Sequence, residues 1–378
     1  MHAPRHRSRL TVVLIALIAF VIAIPTASAA PITVNVGAAL SLTGDAGAYG
    51  ISSRKGIDMA AKEINGGAIS GVKLNVKTID DLSTTAGAAA AYGVFFRDGV
   101  STIMGPTLSN VALDVDPFAQ AARIPVMGIS NTQPGITEIG NFIFRPALTE
   151  EYVLPQVVKA VATSALLPKT AIVIQGSDTF AVTSGPLLAS ALTTNGVTVK
   201  KTELVPAGTT DFSAIAADVK ANDPDIVAIS ALAPEAVPLL QALRNAGYKK
   251  AIIGSNGLNS SAVIKGAGAA ANGLIVGTSW ASWNQTPANK TFIKNFKKAY
   301  KSTPDAFAAT AYAYTYVLAT AAKNGKAATQ DAMATQLAAI KGVKTLLGNF
   351  SFDVNRNGIS PVLVQQVKGG KFGAFKTT

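Results

Sequence analysis

Residues 37–81, GAALSLTGDAGAYGISSRKGIDMAAKEINGGAISGVKLNVKTIDD, pass through a strand, a Gly-rich turn, a helix and a second strand, and they decide how the rest of the chain is read. Just upstream, Ile32, Val34, Val36 and Ala38 alternate with Thr33, Asn35 and Gly37, the period of a strand whose side chains point to opposite faces. The sequence Ser41-Leu42-Thr43-Gly44 then turns the chain. From Ile51 onward, Ile57, Ala60, Ala61 and Ile64 recur at helical spacing until Asn65-Gly66-Gly67, residues that tolerate positive φ and so end the helix. Residues 72–79 read as a second strand that closes on Asp80-Asp81.

Outward from this unit the pattern repeats. Strand candidates fall at 102–104, 125–129, 170–174, 197–205, 226–230, 251–254 and 274–278, separated by Ala/Leu-rich stretches of helix length. Strands alternating with helices predict an α/β fold of parallel sheets covered on both faces. Such sheets take ligands at loops beyond the C-terminal ends of their strands. Two of those loops are conspicuous. Gly105-Pro106-Thr107-Leu108-Ser109-Asn110 leads into a helix over 111–123, with Ser109 predicted as its N-cap, and Ser130-Asn131-Thr132 follows the next strand. A cap hydroxyl with free N–H groups behind it suits an anion, and taken alone each loop is equally a plain helix cap.

The first thirty residues predict an export signal at 1–29. Arg5, Arg7 and Arg9 precede an apolar run of 13 residues at 12–24, and Ala27-Ser28-Ala29 fits the small-x-small cleavage rule, placing the cut near Ala29. The run is short of the roughly 20 residues of a spanning helix, and no cysteine follows it for lipid attachment. A free protein outside the inner membrane is expected, in a periplasm. Removing 1–29 takes three arginines and no acid, so the formal charge falls from +12 to 12 − 3 = +9. It also removes both histidines, and the chain has no cysteine. Imidazole bases, Ser-His-Asp and Cys-His sites, zinc sites and disulfides are thereby excluded from the mature protein.

About 350 residues exceed the size at which one core splits, so two lobes are expected. The basic residues are scattered singly or as pairs such as Lys200-Lys201, without the aromatic-interleaved patches that track nucleic acid, and no nucleic-acid partner is expected. Gly44, Gly47 and Gly50 are spaced G-x-x-G-x-x-G, which is not the dinucleotide fingerprint. Asp353–Gly358 reads as a turn, because the glutamate that closes a calcium loop is missing. Ser-x-x-Lys occurs at Ser52–Lys55 and Ser70–Lys73 without its companion motifs, and Gly-x-Ser-x-Gly is absent, so no enzyme is expected. No cofactor is expected either.

The Ser-Leu-Thr-Gly turn, Gly50, Gly56, Glu63-Ile64-Asn65 and Asp80-Asp81 closely resemble the N-terminal lobe of the periplasmic solute-binding proteins of branched-chain amino-acid ABC importers, the leucine/isoleucine/valine-binding family. The resemblance extends over the mature chain, with residues 304–318 matching a late helix of the first lobe and 348–358 a final hairpin. It implies two doubly wound parallel-sheet lobes joined by three crossovers, lobe 1 at 31–148 and 281–348, lobe 2 at 149–280 and 349–378. It implies that a small solute is captured between the lobes as a monomer and delivered to an inner-membrane ABC permease, or presented to a signalling receptor. The family's first-lobe disulfide has no counterpart, Ser83 and Leu108 standing near the expected cysteines.

Six ligand-binding residues follow from the resemblance. Ser109, Ser130 and Thr132 stand where the family holds a carboxylate, and Tyr49 stands where it places an aromatic wall, though the residues alone also allow Tyr49 to plug its turn. In the second lobe Phe180 stands at a family tyrosine, and Asn256 stands where members selective for α-amino acids carry a glutamate facing the ammonium. An amide accepts a hydrogen bond from an ammonium without neutralising it, and an unpaired desolvated cation costs several kcal/mol. The expected solute is therefore a branched-chain or other hydrophobic amino acid if Asp178 or the Phe180 ring substitutes for the acid. Otherwise it is a carboxylate, amide or urea-like compound.

Overall fold

The computed structural model describes residues 1–2, 30–206 and 208–377, and the export-signal reading of 1–29 lies almost wholly outside them. Contacts divide the chain into Met1–Ala30 and Pro31–Thr378, and the fold below is that of the second unit. Its first sheet is made of β1 (Ile32–Leu40), β2 (Val72–Asp80), β3 (Thr102–Met104), β4 (Val126–Met127) and β5 (Ile143–Phe144), all parallel, in the order β2-β1-β3-β4-β5. The second contains β6 (Thr170–Gln175), β7 (Thr198–Leu204), β8 (Ile226–Ser230), β9 (Ile252–Gly254) and β10 (Leu274–Thr278) in the matching order β7-β6-β8-β9-β10. After a small sheet of β11 (Val343–Thr345), β12 (Gly348–Phe352) and β13 (Gly358–Ile359), β14 (Leu363–Lys368) pairs antiparallel with β10 and β15 (Lys371–Ala374) antiparallel with β14, extending the second sheet. Two doubly wound α/β lobes are thus present, the second carrying an antiparallel edge that the sequence reading did not include.

Helices cover both faces: α1 (Gly47–Glu63), α2 (Thr85–Asp98), α3 (Ser109–Ala121), α4 (Glu150–Ala162), α5 (Thr179–Thr194), α6 (Ser213–Asn222), α7 (Ala233–Asn245), α8 (Ser261–Ala267), α9 (Pro287–Tyr300), α10 (Ala306–Gly325) and α11 (Gln330–Ala338). Side chains of Thr84, Thr149, Asp178, Ser260, Thr286, Asp305 and Thr329 cap seven of them by accepting from first-turn N–H groups. The predicted strand at 125–129 shrinks to Val126–Met127, and the two-residue β5 was not anticipated. Helix α1 begins at Gly47, ahead of Ile51, and its glycines serve close packing. A Cβ at Gly50 would stand 1.8 Å from the Ser41 carbonyl oxygen, and one at Gly56 would stand 2.1 Å from that of Ala308, where α10 crosses α1. No longer side chain fits either place.

Asp80 and Asp81, at the end of β2, fix the loops beside it. Asp80 accepts from the N–H groups of Leu42 (2.8 Å) and Leu82 (2.9 Å) and from the Thr43 hydroxyl (2.7 Å). Asp81 accepts from the Ser41 hydroxyl (2.6 Å) and the Ser83 N–H (2.8 Å). In the turn read as non-metal, Asp353 accepts from the N–H groups of Asn355 and Asn357, both at 2.8 Å. Three chain segments pass between the lobes: that from β5 to α4, that from β10 to α9, and that from β13 to β14. Phe350 and Phe352 pack in the first-lobe core with Phe144 and Tyr314, so the expected change of lobe at 348/349 falls inside a strand that still belongs to lobe 1.

Within the first lobe, fully buried Asp116 accepts from the Tyr92 hydroxyl at 2.7 Å, while its second oxygen lacks a partner among the described residues. Burial pushes this carboxyl up to about 8. The folded chain thus keeps a proton that the unfolded chain loses near pH 4, so the site favours folding most below pH 4 and loses that support as pH rises toward 8. Asp116→Asn should flatten the stability profile between pH 5 and 8 and raise the pH 8 melting temperature by several degrees. Parallel melting curves for wild type and variant at both pH values would refute a neutral Asp116.

Candidate functional site

The loops after β1, β3 and β4 meet those after β6, β8 and β9 across a narrow cleft with two adjoining cavities of about 50 and 30 Å³. Ser130, Thr132, Asn256 and Phe307 border both. Tyr49, Thr107, Ser109, Phe180 and Leu232 are among those completing the smaller cavity, and Glu150, Asn259, Ser279, Thr310 and Tyr314 among those completing the larger. All six residues expected to bind ligand therefore line one cleft, four from the first lobe and two from the second.

Their local roles differ from the expectation at Ser109. It is the first residue of α3, not the cap, because Leu108 already has the extended backbone of a cap position. Its hydroxyl instead accepts from the Thr132 N–H at 3.1 Å, tying the β3 and β4 loops together, and retains its proton for another acceptor. Ser130 donates to the Thr107 carbonyl at 2.7 Å, which leaves its oxygen lone pairs as its contribution to the cleft. The N-terminus of α3 adds N–H groups without partners inside the helix. One wall thus supplies donors suited to an anion with no cation in it.

Tyr49 links the lobes. Its hydroxyl donates to the Gly257 carbonyl at 2.9 Å, in the turn after β9, and accepts from the N–H of Ala233, the first residue of α7, at 2.6 Å; its ring lies 4.7 Å from that of Phe307. Burial pushes this phenol well above its usual range. The residue is both an aromatic wall and a fastening.

Asn256 opens a short turn after β9, and its backbone N–H donates to the carboxylate of Glu150 at 2.7 Å. Glu150 is 1% exposed, and burial raises its carboxyl to about 7 against the pull of that hydrogen bond. Asp178, suggested as a replacement acid, lines neither cavity. It caps α5 through the Ala181 N–H (3.1 Å) and borders a separate groove with Asp45 and Glu235. Glu235 is raised to about 7 by burial and by the Asp178 and Asp45 charges. Sequence reasoning missed Glu150, Thr107 and Phe307. The acidic first turn of α4 is visible in the sequence, but acids in a first turn commonly serve only to complement the helix dipole.

Two α/β lobes with ligand-ready strand-end loops facing one another define a cleft-binding receptor fold. The sequence model described as periplasmic binding protein matches residues 33–371, and the chain belongs to that family. It is 26% identical over 347 residues, 91% of this chain and 92% of the relative, to a Leu/Ile/Val-binding protein of Rhizobium johnstonii. Among solved structures it resembles the branched-chain amino acid transporter substrate binding protein of Streptococcus pneumoniae in complex with isoleucine. There the TM-score is 0.83 and the identity 25%, covering 90% of this chain and 98% of that one. A solute binding protein of an ABC transporter from R. palustris in complex with benzoate has the same fold, with TM-score 0.82, 20% identity and coverage of 90% and 95%.

Proposed function

We propose that this chain is the exported, periplasmic solute-capturing component of an ABC importer, binding a branched-chain or other hydrophobic amino acid between its lobes and handing it to a membrane permease. The observation that carries the reading is the convergence of Tyr49, Ser109, Ser130, Thr132, Phe180 and Asn256 on one cleft. In this reading lobe 1 comprises 31–148 and 281–359 and lobe 2 comprises 149–280 and 360–378, the last boundary following the packing of Phe350 and Phe352. The ligand carboxylate meets Ser109, Thr132 and the α3 N-terminus, and Phe180 and Leu232 close over its side chain. Closure is a hinge motion of the three crossovers, and the permease reads the closed shape. The protein acts as a monomer.

No bond is made or broken. Beyond residue 29 the chain has no His and no Cys, and the hydroxyl of Ser52, the serine of one Ser-x-x-Lys pair, donates to Asp305. Among the described residues no helix is long and apolar enough to cross a membrane, and no group of His, Cys, Asp and Glu could hold a metal ion. A second reading, a carboxylate lacking an ammonium, is favoured by the amide at Asn256.

Thermal-shift measurements with aliphatic amino acids, amides, keto acids and aromatic carboxylates test the reading. At least one should raise the melting temperature and, in small-angle scattering, compact the protein. An unchanged radius of gyration at saturation would refute a hinge-closing receptor.

A further inference from the structure

We infer that Glu150 is the specificity-determining counter-charge for a ligand ammonium group, supplied from the first turn of α4 to the place that Asn256 leaves without an acid. This deepens the solute-binding reading above and rests on it. Among the described residues, Glu150 is the one acidic or basic side chain lining either cavity of the cleft. Its carboxylate is held against the Asn256 backbone N–H at 2.7 Å, and its own N–H donates to the Thr132 carbonyl at 3.2 Å, so it is anchored to loops of both lobes. Thr132 borders both cavities and its own N–H donates to Ser109, so the acid of one cavity and the hydroxyl wall of the other meet at this residue. Ser130, whose proton is committed to Thr107, adds an acceptor beside it.

A buried carboxyl with no charged neighbour is costly unless something cationic joins it. The influences on Glu150 are burial, which raises its affinity for a proton, and the Asn256 N–H, which lowers it; no charged group from α4, β10 or the β9 loop compensates. A zwitterion resolves the imbalance. Its carboxylate takes the hydroxyl and N–H wall, its ammonium donates to Glu150, and the pair enters the cleft with no net charge. The same arrangement disfavours plain carboxylates, which would bring a second negative charge beside an ionised Glu150.

The test compares leucine, valine, alanine and phenylalanine with 4-methylpentanoate, 3-methylbutanoate, propanoate and 3-phenylpropanoate, which lack only the ammonium. Calorimetry on the wild-type protein should show an amino acid bound at least tenfold more tightly than its partner acid. Because Glu150 titrates near 7, binding at pH 7 should release part of a proton, read from the heats in two buffers of different ionisation enthalpy. Glu150→Gln keeps an acceptor for the Asn256 N–H. It should weaken amino-acid binding tenfold or more, abolish the proton release, and leave the partner acid within threefold or strengthen it. Equal weakening of both members of a pair, or undiminished amino-acid binding, would overturn the counter-charge. Binding of the partner acids alone would overturn it while leaving solute capture intact. Absence of binding by all eight compounds and by the amides and aromatic carboxylates of the broader screen would overturn both.

Discussion

Ser109→Ala is expected to weaken solute binding by roughly ten- to a hundred-fold, the loss of a hydroxyl hydrogen bond to a charged group worth about 1.5–3 kcal/mol. The structure sharpens what else the substitution removes. Ser109 is 3% exposed and its oxygen accepts from the Thr132 N–H, so the alanine leaves a buried backbone donor unpaired as well. That costs the ligand-free protein about 1–3 kcal/mol, more than a lost helix cap would. Melting temperature and dissociation constant must therefore be measured together. A lowered melting temperature with an unchanged dissociation constant would make Ser109 a loop fastener only, and the anion end of the ligand would have to move elsewhere in the cleft.

The unit from β1 to β2 was legible because two hydrophobic periods meet there with a Gly-rich turn between them. Its glycines at 50 and 56 were legible as part of the resemblance, but not what they serve: Gly56 answers to Ala308, some 250 residues away. Strand β5 escaped because two residues carry no period. The Ser109 cap was misplaced by one residue because serine followed by a helix is the usual cap signature, and only the extended Leu108 backbone moves the helix start forward. The six residues that the resemblance pointed to all line the cleft. Glu150 was not among them, since its place in the cleft depends on burial and on a contact with Asn256 106 residues later. A single sequence states which acids exist, and the tertiary fold decides which lose water.

The largest effect is expected from loosening the lobes. Besides the Tyr49 bonds to Gly257 and Ala233, they are joined at Asp305, the cap of α10, which accepts from the Ser261 hydroxyl at 2.9 Å and from Ser52 on α1. Combining Tyr49→Phe with Ser261→Ala removes the hydroxyls that cross between the lobes and spares Asp305 as a cap, since Asp305 still accepts from the Ala308 N–H at 3.2 Å. A neutral hydrogen bond contributes about 0.5–1.5 kcal/mol and one to a carboxylate about 1.5–3, so losing the two Tyr49 bonds and the Ser261 bond should cost the closed arrangement about 2.5–6 kcal/mol relative to an open one. Apparent affinity scales with the fraction of closed protein, and even the low end of that range corresponds to roughly seventy-fold weaker binding. Scattering should show the ligand-free variant no more compact than wild type, with compaction reached only at higher solute concentration. A variant as compact as wild type with unaltered affinity would mean that apolar contacts such as Tyr49 with Phe307 hold the lobes together, and that the hydroxyls merely satisfy groups buried by closure.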